Sequence, residues 1–318
     1  MKTGAIITAG GKPENVPDYD LTFIMGETSA IKKIIITLQK AKIEPIVIVT
    51  GYKADEIEKH AAGMGAIFLR NENYMSSDMF DAVRTGVGYL KAECERIFVI
   101  PADIPTFSSA SLDLLMNAES SAVCPSFKGK PGHPILIKND LYETILDYQG
   151  TNGLWGAVTS GGSEVAYINV EDEGVLLEAD TEENLKKLMK LSSKAKESLR
   201  HEVELKLGRN EMIFDPFVQQ FLETVNRANS IQTACKQMHI SYSKGLKMIS
   251  RVEKETGVAL LERHAGGSEG GVSFLTPKGR EFVYSYICMK GELEVYAEQL
   301  FEQYFKDFRT PGVNKRRK

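Results

Sequence analysis

Hydrophobic positions along the chain follow two regimes. Up to about residue 190, short apolar runs alternate with stretches of helical period. The runs are Gly4 to Ala9, Pro45 to Thr50, Ile67 to Arg70, Arg96 to Ile100, Ala122 to Cys124 and Val165 to Val170. Arg96 to Ile100 is apolar on both faces, which predicts a strand buried between two layers of helices. The intervening stretches predict helices. One follows Thr28 and carries Ile31, Ile34, Ile35 and Leu38; others span Lys53 to Ala61 and Asp78 to Leu90, start at Ser108, and are capped at Thr181. This alternation predicts an α/β domain with a doubly wound, mostly parallel sheet.

From Phe214 the pattern becomes helical. Phe214, Phe217, Val218, Phe221, Leu222 and Val225 form one stripe, with Asp215 as cap and Pro216 in the first turn. Ser230 caps a second helix with Ile231, Ala234, Cys235 and Met238 inside, and Ser241 caps a third with Tyr242, Leu246 and Ile249 inside. The other side of the third helix carries Ser243, Lys244, Lys247 and Arg251, a basic stripe where a recognition helix meets DNA. Strand-like runs Val258 to Arg263 and Val272 to Leu275 flank His264 and a glycine-rich loop, as in a DNA-tracking wing. A long helix from Thr276-Pro277 places Phe282, Tyr286, Met289, Leu293, Tyr296 and Leu300 at a spacing of four and three, which predicts a coiled-coil seam and a homodimer. The expected division is residues 1–190, a linker at 191–202, a winged helix-turn-helix domain at 203–308 in which 201–208 opens as a short strand, and a basic tail at 309–318.

Composition narrows the class without choosing a partner. The chain has 318 residues, a net charge of -4, 42% apolar and 26% charged residues, values of an ordinary globular protein. Cys94, Cys124, Cys235 and Cys288 form no CxxC pair and read as reduced cytoplasmic thiols. No apolar run reaches the roughly 18 residues of a membrane span, and the first residues enter a strand directly, so the expectation is a cytoplasmic chain with no signal peptide and no membrane partner.

The candidate chemistry centres on Pro101-Ala102-Asp103-Ile104-Pro105. Prolines end the ladder where the carboxylate appears, at the carboxyl end of a central strand where open α/β sheets bind ligands. Asp103 is therefore expected to hold a divalent metal on a nucleotide phosphate. The competing role, capping the next helix, falls better to Ser108 or Ser109. Ala9, Gly10 and Gly11 close the first strand with backbone N–H groups able to approach an anion. GxGxxG and Walker A spacings are absent, so neither a dinucleotide oxidoreductase nor a P-loop enzyme is supported.

An ordered set of segments carries a family resemblance: Thr8-Ala9-Gly10, Thr50-Gly51-Tyr52, Asn73-Tyr74-Met75-Ser76-Ser77, Pro101 to Pro105, Gly132-His133-Pro134-Ile135-Leu136 and Ala179-Asp180-Thr181-Glu182-Glu183-Asn184-Leu185. Together they resemble the MobA/MocA-like molybdopterin nucleotidyltransferases, which have the GT-A-type nucleotidyltransferase fold. The resemblance implies transfer of a nucleotidyl group from CTP or GTP to molybdopterin with Mg²⁺ on Asp103. It places Ser76 and Ser77 on the nucleotide, where an N-cap pair for the next helix reads equally well. It puts His133 near the substrate, where a turn histidine is an equal reading, and makes Asp180 a second metal carboxylate or a helix-entry cap. The family loop reads A-G-x-S-x-R-M-G-x-x-K-P, and its arginine and lysine bind the triphosphate. Here Asn15 stands for the arginine, Pro17 for the glycine and Asp20 for the lysine, with Lys12, Lys32 or Lys33 as replacement cations.

In the second half, Ser230 to Ala234, Met238 to Gly245, Leu260 to Arg263 and Gly266 to Gly279 resemble the winged-helix domain of the molybdate-dependent regulator ModE. That likeness implies a dimer on DNA. The whole chain then reads as an enzyme of molybdenum cofactor metabolism coupled to a DNA-binding domain. Two alternatives stand beside it: a regulator whose transferase-like domain senses a nucleotide or molybdopterin, and a non-enzymatic assembly module.

Overall fold

The computed structural model describes residues 2–11, 21–22, 24–25, 28–160, 162, 164–179, 181–194, 199, 201–264 and 272–308. Contacts divide the chain into two compact units, Met1–Lys194 and Ala195–Lys318.

In the first unit, β1 (Thr3–Ala9), α1 (Ala30–Lys40), β2 (Ile46–Thr50), α2 (Ala54–Ala61), β3 (Ala66–Arg70), α3 (Met79–Leu90) and β4 (Arg96–Pro101) alternate. They are followed by α4 (Ser109–Met116), β5 (Ala122–Phe127), β6 (Ile135–Lys138), α5 (Tyr142–Asp147), α6 (Gly153–Ser160), β7 (Val165–Asn169) and α7 (Glu182–Lys194). The sheet order is β7-β5-β6-β4-β1-β2-β3. β1, β2, β3 and β4 are mutually parallel, and β7 is parallel to β5. β6 runs antiparallel between β4 and β5, and Lys130–Pro131 adds a short antiparallel pair to β5.

Alternation along the strands explains the two helical layers. Ile7, Ile48, Phe98 and Ile100 face Ile31, Ile34, Leu38, Ile57 and Leu112 on one side of the sheet. Ile6, Val47, Val49, Ile97 and Val99 face Phe80, Val83, Val87, Tyr142 and Ile145 on the other. The fold is thus the expected doubly wound, mostly parallel sheet. The pattern missed α5, which has only six residues, and α6, which carries the poor helix formers Gly153 and Gly156.

The second unit contains the paired strands β8 (Leu207–Gly208) and β9 (Met212–Phe214), then α8 (Pro216–Ala228), α9 (Ile231–Gln237) and α10 (Tyr242–Thr256). The hairpin of β10 (Leu261–His264) and β11 (Val272–Leu275) follows, then α11 (Pro277–Phe305). Each capping residue read from the sequence is in place. Asp215, Ser230, Ser241 and Thr276 accept from the backbone N–H three residues on, at 2.8, 3.2, 3.2 and 2.8 Å. Gly245 lets α10 press on its neighbours: a Cβ there would lie 2.5 Å from Cys235 Sγ and 2.8 Å from Phe221 Cζ.

Several local expectations change. Residues 201–206 alternate in burial but pair with no strand; only Leu207–Gly208 enters a ladder. Phe214 lies on β9 rather than α8, although it is buried. The first wing strand is Leu261–His264, shorter than the apolar run. The seam of α11 is split. Phe282 and Tyr286 belong to the unit's own core, packing on Phe214 at 5.0 and 4.8 Å, and the Tyr286 hydroxyl donates to the Leu205 carbonyl at 2.7 Å. Met289 and Tyr296 remain exposed, with Tyr284, Ile287 and Val295 alongside. No described helix is long and apolar enough to cross a membrane.

Candidate functional site

The carboxyl ends of the parallel strands gather the candidate residues into one row. β1 pairs Thr8 with Pro101 of β4 and Ala9 with Thr50 of β2, while β2 pairs Thr50 with Arg70 of β3. One or two residues further on, the chain reaches Gly10, Gly51, Asn71 and Asp103 on the same edge. Backbone bonds carry the alignment past the ladder: Ala102 N–H to Thr8 O at 3.1 Å, Tyr52 N–H to Gly10 O at 3.1 Å and Asn71 N–H to Thr50 O at 2.8 Å.

Gly51 is where the loops touch. A Cβ there would meet Tyr74 Cβ at 2.6 Å and Gly10 O at 2.8 Å, both parts of loops that cannot swing away like a side-chain tip. A Gly51→Ala variant is therefore expected to spread the β1 and β2 loops and weaken binding of any ligand held at this edge at least tenfold while the domain stays folded. Calorimetric titration of the variant checks it; wild-type affinity would show that the loops adjust without cost.

A charge cluster below this row fixes the ends of β2 and β3. Glu58 is buried and receives Arg70 Nη2 at 2.7 Å, Arg70 Nε at 3.0 Å and the Thr50 hydroxyl at 2.8 Å. Asp55 also accepts from Arg70 at 2.6 Å. These carboxylates, Glu58 first, hold the Arg70 guanidinium charged well above its ordinary range. A buried carboxylate needs such pairing, so the cluster is a brace for the loops. Nothing in the sequence linked Glu58 to Arg70 in advance.

Ser76 and Ser77 lie in the loop after β3, Ser76 exposed and Ser77 half-buried. They do not cap α3. Asp78 does, in a reciprocal capping box with Asp81 at 2.9 and 3.1 Å. A carboxylate directly at the N-cap position displaces the serines from that role. Ser76 donates to Asn73 O at 3.2 Å, and Ser77 accepts from Asn71 Nδ2 at 2.7 Å.

Asp103 follows β4 and is half-buried, with its backbone carbonyl accepting from Ala179 N–H at 2.8 Å. That bond ties the strand end to the segment preceding Asp180, which itself lies outside the described residues. Ser108 caps α4, accepting from Ser111 N–H at 3.2 Å, so Asp103 is released from capping. Asp172, unnoticed in the sequence, accepts from Ser108 N–H at 2.7 Å, Ser111 Oγ at 2.7 Å and Gly174 N–H at 3.0 Å. It pins the segment leading to Ala179 against α4. Ala9 is buried, Gly10 half-buried and Gly11 exposed; Lys12, Asn15, Pro17 and Asp20 lie outside the described residues. Lys32 and Lys33 are half-buried on the first turn of α1.

His133 stands just before β6, its N–H donating to Val175 O at 2.8 Å. Its Nδ1 is buried with no hydrogen-bond partner among the described residues. Burial pushes its pKa down from 6.5 to about 4, so the ring is neutral at physiological pH and offers hydrogen bonds rather than charge. Between those two values the unfolded chain binds a proton that the folded chain refuses. Stability contributed by the neutral ring is therefore full above pH 6.5 and lost as pH falls toward 4. A His133→Gln variant is expected to flatten this part of the pH dependence of the urea midpoint; parallel wild-type and variant curves would contradict it.

In the second unit, Ser243, Lys244, Lys247 and Arg251 are exposed on α10. Lys244 Nζ lies 5.6 Å from the Phe217 ring centre. Arg251 is ion-paired on the surface with Glu211, which is itself exposed. Tyr242, expected inside, is 50% exposed beside the lysines, since Gly245, Ile249 and Val252 already fill the contact with α8 and α9. His264 ends β10, exposed, with its ring 5.6 Å from that of Phe274. The glycine-rich wing loop and the basic tail lie outside the described residues.

A mostly parallel sheet with its loops and a carboxylate gathered at one edge defines a nucleotidyltransferase-type domain, here followed by a helix-turn-helix unit. The chain belongs to the family described as the MobA-like NTP transferase domain, whose model matches residues 5–165. Residues 219–280 match a second family, the bacterial regulatory helix-turn-helix proteins of the lysR family. A curated relative, the molybdenum cofactor cytidylyltransferase of Escherichia coli (strain K12), is 23% identical over 138 residues, which cover 43% of this chain and 69% of that protein. Among solved structures, a nucleotidyl transferase from Methanothermobacter thermautotroptrophicus superposes with a TM-score of 0.53 at 17% identity, covering 59% of this chain and 96% of that one. The 4-diphosphocytidyl-2C-methyl-D-erythritol synthase of Anaerococcus prevotii DSM 20548 gives 0.51 at 15% identity, covering 61% and 99%. At such identities these structures speak for the fold alone.

Proposed function

We propose that the first domain is a metal-dependent nucleotidyltransferase of molybdenum cofactor metabolism, and that the second binds DNA as a homodimer through α10 and its wing. The row of Gly10, Gly51, Asn71 and Asp103 carries the first part of this reading. The donor and acceptor are assigned as CTP or GTP and molybdopterin, in keeping with the name of the Escherichia coli relative. The molybdopterin phosphate attacks the α-phosphorus; the new P–O bond forms as the bond to the β-phosphate oxygen breaks, and pyrophosphate leaves.

The residues take distinct parts. Backbone N–H groups of Ala9, Gly10 and Gly11 receive the phosphates, and Ser76 and Ser77 contact the nucleotide. Asp103, with Asp180, holds Mg²⁺. The donor set suits that ion: Mg²⁺ takes one or two carboxylates and completes its shell with water and phosphate oxygens. When bound, Mg²⁺ neutralises charge on the phosphate oxygens. His133, neutral, donates or accepts a hydrogen bond on the acceptor side.

A second reading rests on Asn15 and Asp20, which stand where the family loop has cations. A domain that binds nucleotide without turnover would be a sensor reporting to the DNA-binding half. Both readings require saturable, Mg²⁺-dependent binding of CTP or GTP in calorimetric titration of the full chain. Binding of neither nucleotide would remove both.

For the second domain, the half-exposed apolar residues of α11 beyond Tyr286 supply the dimer contact. Sedimentation of the full chain is the check. A monomer at micromolar concentration would contradict it.

A further inference from the structure

Strand register brings one more pair of charged residues to the edge that carries Asp103. β6 pairs with β4 on one side and β5 on the other: Ile137 meets both Ile97 and Ala122, and Leu136 meets both Phe98 and Val123. Lys128 lies six residues beyond Ala122, as Asp103 lies six beyond Ile97. β4 and β5 run in the same direction, so both chains leave the sheet on the same edge. Within the sheet, β4 and β5 are two strand spacings apart, about 10 Å.

The segment carrying Lys128 is held firmly. Ser126 pairs with Pro131 and Phe127 with Lys130, leaving Lys128 and Gly129 as a two-residue turn with φ of 51° and 79°. Both values are positive, as the type I′ hairpin requires, and lysine is an uncommon occupant there. Gly132 then passes so close to the 173–176 turn that a Cβ would lie 2.3 Å from Val175 O. The same carbonyl receives His133 N–H at 2.8 Å. Lys128 and Lys130 are exposed, and neither forms an ion pair with a described residue. Lys128 Nζ instead lies 5.0 Å from the Phe127 ring centre.

Position in the sheet separates this hairpin from the nucleotide loops. Gly10, Gly51 and the serines belong to β1, β2 and β3, on one side of Asp103. The hairpin belongs to β5, on the other side with His133. We infer that Lys128 and Lys130 form a clamp that holds the phosphate of the acceptor opposite the nucleotide. Two cations at this place offset the like-charge repulsion between acceptor phosphate and nucleotide triphosphate. That offset is needed all the more in a chain whose glycine loop has Asn15 and Asp20 in place of cations. The inference rests on the nucleotidyltransferase reading above.

The test compares wild type with Lys128→Gln/Lys130→Gln and Lys128→Arg/Lys130→Arg double variants of the full chain. Calorimetry follows CTP with Mg²⁺, and fluorescence follows molybdopterin and its dephosphorylated form. The glutamine pair is expected to bind molybdopterin at least tenfold more weakly and to lose the preference for the phosphorylated form. CTP affinity should stay within twofold, and the arginine pair should behave as wild type. Unchanged molybdopterin binding in the glutamine pair, with CTP still bound, would overturn the clamp and leave the nucleotidyltransferase reading standing. An equal loss of CTP and molybdopterin affinity, or failure of the arginine pair to restore binding, would also overturn it. A wild-type chain that binds neither CTP nor GTP would fell both.

Discussion

Replacing Asp103 by asparagine is expected to remove the Mg²⁺ dependence of nucleotide binding and to lower any pyrophosphate-forming rate by on the order of 10²–10³. The asparagine keeps the shape and removes the charge, so the change falls on electrostatics rather than packing. The backbone at this position is held independently of the side chain, by Ala179 N–H on the Asp103 carbonyl and Ala102 N–H on the Thr8 carbonyl. Thermal melting of the variant should therefore match wild type within a few degrees. The measurement is nucleotide titration with and without Mg²⁺. An Asp103→Asn chain with wild-type affinity and wild-type Mg²⁺ response would take this carboxylate out of the metal site.

A Lys244→Ala/Lys247→Ala variant is expected to lose at least tenfold in affinity for duplex DNA at low salt. The slope of log affinity against log salt should become shallower by about 1.8, because each neutralised phosphate contributes about 0.9. Both side chains are exposed, so stability should change little. Arg251→Ala is a useful contrast. Its guanidinium is already paired with Glu211, so the expected loss is smaller than for either lysine. Binding measured by fluorescence anisotropy across a salt series decides it, and an unchanged slope in the double variant would refute α10 as the DNA-contacting helix.

The strands and their order of appearance were legible because β1, β2 and β4 are buried on both faces and so read as unbroken apolar runs. The end of β4 just before Asp103 was legible for a related reason: Pro101 and Pro105 mark the point where the ladder must stop. The caps of the second domain were equally plain, since Asp215, Ser230, Ser241 and Thr276 each precede a helical stripe. Other features depend on partners far apart in the chain. Glu58 with Arg70, and Asp172 with Ser108 and Ser111, are ordinary charged or polar residues until the fold brings them together. Lys128 gains its place only through the antiparallel β6, which carries the register from β4 to β5. Tyr242 misled because helical spacing alone cannot tell which of two adjacent faces is filled; Gly245 draws α10 close on its own side and leaves the tyrosine outside. The α11 seam misled similarly, because its first two positions were already claimed by Phe214.

On the proposed reading, the edge bearing Gly10, Gly51 and Asp103 transfers a nucleotidyl group. Pyrophosphate release from CTP or GTP by the full chain, with and without molybdopterin and Mg²⁺, tests it most directly. The expected result is release that requires both molybdopterin and Mg²⁺ and falls in the Asp103→Asn variant. Saturable nucleotide binding with no pyrophosphate release would contradict it, and would make the domain a ligand sensor for the DNA-binding half.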